Sequence, residues 1–358
     1  MPKTNFVIVG LSGGVDSAVA ALLLQKQGYR VEAVFMQNWQ DQGNEYCSAK
    51  QDLADAVSIA KTLNIKLHTV SFAHEYWDRV FNYFLDEYAN FRTPNPDVLC
   101  NKEIKFKAFL DYALQLGADY IATGHYARVN KSNSKYQLLK AFDQNKDQSY
   151  FLHLLNQTQL AKTLFPIGEL TKPEVRALAK TNQFTNFAKK DSTGICFIGE
   201  RKFKNFLQEY LLAKPGAIVS TENQVLGKHD GLMFYTIGQR QGLNIGGQKY
   251  AKEAPWYVAE KDVANNRLIV TQDKNHPALM ATKLHCNKLH WIAEVEPDYT
   301  KIYTAKIRYR QSDQICQLTK LDAETFCVEF KEPQWAITPG QAVVFYDGNV
   351  CLGGGTIL

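Results

Sequence analysis

Over the first two hundred residues, short apolar runs alternate with longer stretches whose apolar positions recur at helical spacing. Phe6–Val9, Val31–Met36, Leu67–Ser71 and Tyr120–Thr123 read as strands, and Ser17–Gln27, Ser48–Leu63 and Lys102–Leu116 as helices. Gly28 and Gly117 stand where two of those helices need a left-handed cap. Strands alternating with helices pack as a sheet covered on both faces, so the pattern predicts an α/β unit built on a doubly wound parallel sheet. Past about Tyr210 the texture changes to short β-type runs broken by Gly, Pro and Asn: Ala217–Ser220, Tyr257–Ala259, Leu268–Thr271, Tyr303–Tyr309 and Ala342–Tyr346. That predicts two small, mainly-β domains. The expected division is 1–205, 206–275 and 276–358, with the polar stretch Gln272–Pro277 joining the last two. Asn130–Lys135 reads as a polar hairpin tip or loop.

Composition narrows the class. A chain of 358 residues exceeds what one core usually organises, and 45% hydrophobic with 22% charged residues can fill several. The opening Met-Pro-Lys-Thr is polar and the apolar run from Phe6 to Leu11 is too short for a leader or a span, so a soluble, cytoplasmic protein is expected. Seven cysteines, scattered and without a Cys-x-x-Cys pair, argue against a disulfide framework, a zinc ribbon or an iron–sulfur site. A net charge of +5 permits a polyanionic partner, but with no basic tail any nucleic-acid surface must be a local patch.

After the first strand comes Gly10-Leu11-Ser12-Gly13-Gly14-Val15-Asp16-Ser17, leading directly into a helix. Adjacent glycines allow positive φ and close approach of the backbone, so successive N–H groups can form an anion nest at the positive end of that helix. The loop lacks the Gly-Lys-Ser/Thr of a Walker A loop and the Gly-x-Gly-x-x-Gly of a dinucleotide fingerprint. On residues alone it is a phosphate cradle or a glycine-rich turn capped by Asp16 or Ser17. Met36, closing the second strand, lies where an adenine would sit beyond the strand ends, or is a core methionine.

Thr93-Pro94-Asn95-Pro96-Asp97-Val98-Leu99-Cys100-Asn101 holds two prolines and reads as a stiff loop, with Cys100 just before a helix N-terminus. The helix dipole and Lys102 would favour its thiolate, and Asp97, three residues earlier, would serve as a proton carrier beside it. A second cysteine, Cys196, falls in Asp191-Ser192-Thr193-Gly194-Ile195-Cys196-Phe197-Ile198-Gly199, between two glycines. Taken singly, each cysteine equally suits a small buried hydrophobe. In the β half, Lys306, Arg308 and Arg310 share one face of a period-two run, with Ala305, Ile307 and Tyr309 on the other. That is a stripe for tracking phosphates or simply an exposed antiparallel strand.

Ser-Gly-Gly-x-Asp-Ser resembles the pyrophosphate loop of the ATP pyrophosphatases, which cut ATP between its α- and β-phosphates and adenylate a substrate oxygen. Asn-Pro-Asp-x-x-Cys-Asn and Ser-Thr-Gly-Ile-Cys-Phe resemble segments of the transfer-RNA 2-thiouridylases. The likeness continues through Ala122-Thr123-Gly124-His125-Tyr126, Lys146-Asp147-Gln148-Ser149-Tyr150-Phe151-Leu152 and Tyr235-Thr236-Ile237-Gly238-Gln239-Arg240-Gln241-Gly242, across nearly the whole chain.

The resemblance implies an adenine nucleotide alpha-hydrolase-like domain that sulfurates the wobble uridine of lysine, glutamate and glutamine transfer RNAs. It implies ATP held by Gly10, Leu11, Ser12, Gly13, Gly14, Val15, Asp16 and Ser17, with Met36 and Gly124, and Mg2+ held by Asp16. Cys196 would bear a persulfide and Cys100 would be the partner cysteine, the two ending as a disulfide. Asn95, Pro96 and Asp97 would meet the target base, and His125, Lys146, Asp147, Gln148, Arg308, Tyr309 and Gln341 the rest of the RNA. A cysteine desulfurase, directly or through a sulfur-carrier protein, would supply sulfur, and no membrane is involved. The residues leave open an ATP pyrophosphatase acting on a small carbonyl compound, and a nucleotide-sensing RNA-binding module.

Overall fold

The computed structural model describes residues 4–39, 49–190, 203–245 and 254–358. The first half contributes β1 (Phe6–Gly10), β2 (Arg30–Gln37), β3 (Leu67–Ser71), β4 (Tyr120–Ala122), the hairpin β5 (Ala127–Ser132) and β6 (Lys135–Lys140), and the short β7 (Thr163–Leu164). Five of these form a parallel sheet in the order β3-β2-β1-β4-β7. The chain runs outward from β1 to β3, then returns to the other side of β1 as β4. That reversal opens a crevice beyond the carboxyl ends of β1 and β4, the usual ligand position in such a sheet.

Strand β1 is buried throughout, and its period-two alternation splits the interior. Val7 and Val9 join Val19, Leu22, Val31 and Phe35 on one face, under α1 (Val15–Lys26) and α2 (Ala49–Leu63). Phe6 and Ile8 join Phe81, Phe106 and Phe109 on the other. Gly28 and Gly117 both take φ +85°, and each lies at a helix end where the following amides bond back to the last turn.

A second sheet, within residues 216–271, pairs as β10-β11-β8-β9, where β8 is Gly216–Ser220, β9 Val225–His229, β10 Tyr257–Asp262 and β11 Arg267–Thr271. The last part contains β12 (Met280–Trp291), β13 (Ile302–Lys306), β14 (Gln314–Lys320), β15 (Phe326–Trp335), β16 (Ala342–Asp347) and β17 (Val350–Ile357). They run β12-β15-β14-β13-β16-β17, and β12 pairs with β17, closing a barrel and leaving no free edge among those six strands. Leu284, Cys286, Cys316, Leu318, Val328 and Phe345 are part of its packed centre. The hairpin tip expected at 130–135 is the β5–β6 turn, and β6 pairs with β17, so an element from the first half extends the barrel wall.

Two expectations are corrected here. The strand expected over Tyr303–Tyr309 stops at Lys306, and Arg310 turns to φ +63°. Nor is 93–101 a loop throughout: residues 93–95 have no regular structure, but helix α3 covers residues 96–115 and begins at Pro96, with Asn95 as its N-cap. Proline is accepted there because the first helical N–H has no intrahelical acceptor to lose. The middle of α3, Cys100–Ala108, is π-helical.

Candidate active site

Gly10 is where three parts of the site meet. A methyl group built on it would stand 3.1 Å from Met36 Cε and 3.4 Å from a ring carbon of Phe109 on α3. The end of β1, the candidate adenine residue and the cysteine-bearing helix therefore share one contact. Gly13 has φ +75°, and a side chain there would begin 2.3 Å from the Asp52 carbonyl of α2. Gly124, in the turn after β4, lies equally close: its Cβ would be 2.5 Å from the Ser17 nitrogen. Glycine is thus required at both positions, by conformation and contact at the first and by contact at the second.

Around this cradle the loop is tied down by its own hydroxyls. Ser12 N–H donates to Ser17 Oγ (3.2 Å), and Ser17 Oγ–H donates to the Gly14 carbonyl (3.1 Å). From behind, Asn186 Nδ2 donates to the Gly13 carbonyl (3.0 Å), and Lys189 bridges Asp52 (2.7 Å) and Asp55 (2.5 Å). The N-cap of α1, Gly14, offers no side-chain cap, so the first helical amides have no capping side chain. Uncapped amides at a helix N-terminus suit a polyphosphate, and the fit is good for ATP.

Asp16 is held from two sides. Lys172, the first residue of α4 (Lys172–Thr181), places Nζ 2.7 and 2.8 Å from its two oxygens, and Tyr126 OH donates to Oδ1 at 3.0 Å. Among the described residues no three metal-ligating side chains cluster. One carboxylate plus phosphate oxygens and water is nevertheless the usual donor set for Mg2+ with a nucleotide.

Cys100 is buried on α3, one turn inside the helix rather than before it, so the expected pull of the helix terminus on its thiol is weaker than in a first-turn position. Asp97 is open to water yet crowded by protein on most sides. That loss of bulk hydration raises its carboxyl pKa, against the pull of Lys105. Burial drives the His125 pKa well below its ordinary value, with Lys105 adding to the effect, so the ring is neutral near pH 7. His125 Nδ1 pairs with Thr123 Oγ1 (2.8 Å), and the ring packs against Phe106 and Phe165. It does not stand on the outer surface. Lys105 thus acts on both Asp97 and His125. In the π-helical stretch, where residue i+5 follows residue i, it falls near the Cys100 side of α3.

The residues expected to meet RNA divide. Lys146 is partly exposed. Asp147 is buried, accepting from the amides of Ala141 (3.1 Å) and Ser149 (3.2 Å) and from Ser149 Oγ (2.9 Å), with Lys306 Nζ at 3.5 Å. Gln148 takes Tyr126 N–H on its side-chain oxygen (2.9 Å) and donates its own amide to the Tyr126 carbonyl (2.8 Å). Gln341 Nε2 donates to the carbonyls of Thr93 (2.7 Å) and Pro94 (3.3 Å), bracing the start of α3.

The basic stripe is corrected. Lys306 is buried between Asp147 and Asp313, and half-buried Arg308 donates to the carbonyls of Trp335 and Ala336 (3.0 Å to the latter). Tyr309 packs on Phe151, with ring centres 4.6 Å apart, and only Arg310 is exposed. A cavity of about 360 Å3 on another face of α3 is lined by Asn95, Val98, Lys102, His153, Lys288 and His290, among others.

Cys196 and Cys47 lie outside the described residues. Burial raises the thiols of Cys286 and Cys316, inside the barrel, to about 12, and that of Cys351 further still. Sequence reading passed over Lys172, Tyr126, Lys105, Asn186 and Lys189. Only Tyr126 carried a signal, as part of the Gly-His-Tyr motif.

Residues 5–200 match the family model described as the tRNA methyl transferase HUP domain, 204–272 the tRNA methyl transferase PRC-barrel domain, and 281–357 the aminomethyltransferase beta-barrel domain. The tRNA-specific 2-thiouridylase MnmA of Pseudomonas paraeruginosa is 58% identical over 357 residues, which is 99% of this chain and 95% of that one. The protein of the same description from Pseudomonas fluorescens is 59% identical over 352 residues, covering 98% and 94%. The solved U34-tRNA thiolase NcsA from Methanococcus maripaludis matches 57% of this chain and 64% of its own, at 20% identity and a TM-score of 0.36, too distant to support an argument. Matched from end to end at this identity, the chain belongs to the tRNA-specific 2-thiouridylase family.

Proposed function

We propose that this protein is an ATP-dependent tRNA-uridine 2-sulfurtransferase acting on the wobble uridine of lysine, glutamate and glutamine transfer RNAs. The observation that supports the reading is the contact at Gly10 between the end of the phosphate strand, Met36 and Phe109, which lies on the same helix as Cys100 and Asp97. Residues 1–205 are the catalytic domain, 206–275 a small central β domain and 276–358 the C-terminal barrel, to which the first domain lends β5 and β6.

ATP supplies activation of the uracil C2 oxygen as its adenylate, turning a poor leaving group into AMP. The loop amides of 10–17 hold the phosphates, Met36 and Gly124 border the nucleotide, and Asp16 is the protein ligand for Mg2+. Asn95, Pro96 and Asp97 flank the target base. An anticodon-loop base is already unpaired, so extruding it costs less than opening a duplex. The terminal sulfur of a Cys196 persulfide bonds to C2 as AMP departs. The Cys100 thiolate then takes the Cys196 sulfur, the old S–S bond breaks towards the thiocarbonyl, and a Cys100–Cys196 disulfide remains for a thiol reductant. Asp97, with its raised pKa, carries the proton. Lys146, Gln148, Tyr309 and Arg310 border the RNA path, and His125, Asp147, Arg308 and Gln341 shape it from inside.

The sulfur arrives from a cysteine desulfurase or a sulfur-carrier protein, and the reaction is cytoplasmic, where disulfides are reduced. No helix among the described residues is long and apolar enough to cross a membrane. Cys100→Ser and Cys196→Ser should each abolish 2-thiouridine, while Cys286→Ser, Cys316→Ser and Cys327→Ser should not. Labelled sulfur should load on the Cys100→Ser protein and not on the Cys196→Ser protein. Full thiolation by either mutant, or AMP release that ignores transfer RNA, would defeat the reading.

A further inference from the structure

Tyr126 sits in the turn after β4, and nothing in the sulfur chemistry above requires it. Every polar group it has in this turn is nonetheless committed. Its backbone N–H donates to Gln148 Oε1 at 2.9 Å, and its carbonyl accepts the Gln148 amide at 2.8 Å. Its hydroxyl donates to Asp16 Oδ1 at 3.0 Å, and the side chain is only 2% exposed. Two residues earlier, Gly124 lies against the backbone of Asp16 and Ser17 so closely that a methyl group would not fit. The turn 124–126 is therefore seated on the phosphate loop at two points.

Gln148 belongs to the 146–148 segment, which is itself fastened on its far side. Asp147 meets Lys306 of the barrel at 3.5 Å, and Ser149 Oγ lies 3.2 Å from Tyr346 OH. A continuous set of short contacts thus runs from the barrel through Asp147, Gln148 and Tyr126 to Asp16. Asp16 has two claimants, Lys172 and the Tyr126 hydroxyl. A cation on both oxygens neutralises the carboxylate without fixing its rotation, whereas a single directional O–H donor selects one orientation.

We propose that Tyr126 is a positioning residue for nucleotide activation: its hydroxyl orients Asp16, and its backbone, held by Gln148, makes that orientation depend on the segment beside the RNA path. The proposal rests on the sulfurtransferase reading. It assigns Tyr126 no contact with either substrate. Its effect is to make AMP formation respond to RNA seated against 146–148.

The test uses the full-length protein with ATP and transfer RNA bearing an unmodified wobble uridine. Tyr126→Phe, which removes one oxygen from a buried ring, should lower kcat for RNA-dependent AMP release about tenfold, the loss expected for one hydrogen bond to a charged group. KM for the RNA should stay within about twofold, and the thermal midpoint should move little beside the kcat change. A purely structural role would instead lower midpoint, RNA binding and rate together. Gln148→Leu should reproduce the kcat loss, and the double mutant should be no slower than Gln148→Leu alone, since both act through one hydroxyl. Additive losses, or a Tyr126→Phe protein with wild-type kcat, would overturn the proposal. If the wild-type protein itself releases no AMP with transfer RNA, the sulfurtransferase reading fails first, and the two failures are distinguishable.

Discussion

The phosphate loop and the turn after β13 are both rich in groups that attract phosphate, and the fold treats them oppositely. Around Gly13 and Gly14 the attracting groups are backbone amides at the uncapped start of α1. Their direction is set once the glycines adopt the turn, and no neighbouring side chain can redirect them. Around Lys306 and Arg308 the attracting groups are long side chains. They turn inward, to Asp147 and Asp313 in one case and to the carbonyls of Trp335 and Ala336 in the other. A flexible cation goes to the nearest desolvated acceptor, because leaving that acceptor unpaired costs more than giving up a screened contact with solvent. The main-chain donors keep the direction their turn gives them, whereas Lys306 and Arg308 are diverted to structure.

The hardest strain on that comparison is Gly13→Ala. With φ +75° and a new carbon 2.3 Å from the Asp52 carbonyl, the loop must shift by an ångström or so. Displacement on that scale should cut ATP-dependent AMP release by about 100-fold. Calorimetry and an AMP assay would check it. Retention of half the wild-type rate would mean the amides are not the phosphate ligands.

Next in size is Lys306→Met, which keeps the stem and removes the charge between two carboxylates, one of them buried. Stability should fall by about 3 kcal/mol in a denaturant titration. The salt dependence of RNA binding should not change, since Lys306 is not on the surface. Exposed Arg310 offers the contrast: Arg310→Gln should leave stability within about 0.5 kcal/mol and lower the salt slope by about one if it meets a phosphate. A lowered slope in Lys306→Met would place that lysine on the RNA and erase the distinction.

Acid should loosen the barrel seam while sparing the loop. Burial pushes the His153 pKa down to about 4, despite the Tyr150 carbonyl that supports its proton. Between pH 6.5 and 4 the unfolded chain holds a proton there that the native state refuses. Stability is therefore full above 6.5 and declines as pH falls towards 4, by up to about 3 kcal/mol from this residue. Thermal midpoints across that range should drop, and His153→Gln should flatten the curve. An unchanged slope would show that the ring is protonated in the fold.

Much of the architecture was legible in the chain. Four parallel strands, three helices, two of them with capping glycines, and the shift to β texture near residue 210 follow from periodicity and backbone preference, which act within a few residues. The conformation of the glycine loop was legible for the same reason, since it depends on its own main chain. What sequence alone could not supply were the partners of long side chains. Pro96 opens a helix because an N-cap residue and a terminal position were available to it, whereas two prolines in nine residues suggested a loop. Lys172 reaches Asp16, Lys306 reaches Asp147, Gln341 reaches Thr93 and Tyr126 reaches Asp16 across separations of more than one hundred residues. Residue type and local spacing determined the strands, the caps and the cradle, because those depend on neighbours along the chain. Only the tertiary structure decided which cations remain available to RNA, because that depends on which acceptors folding places beside them.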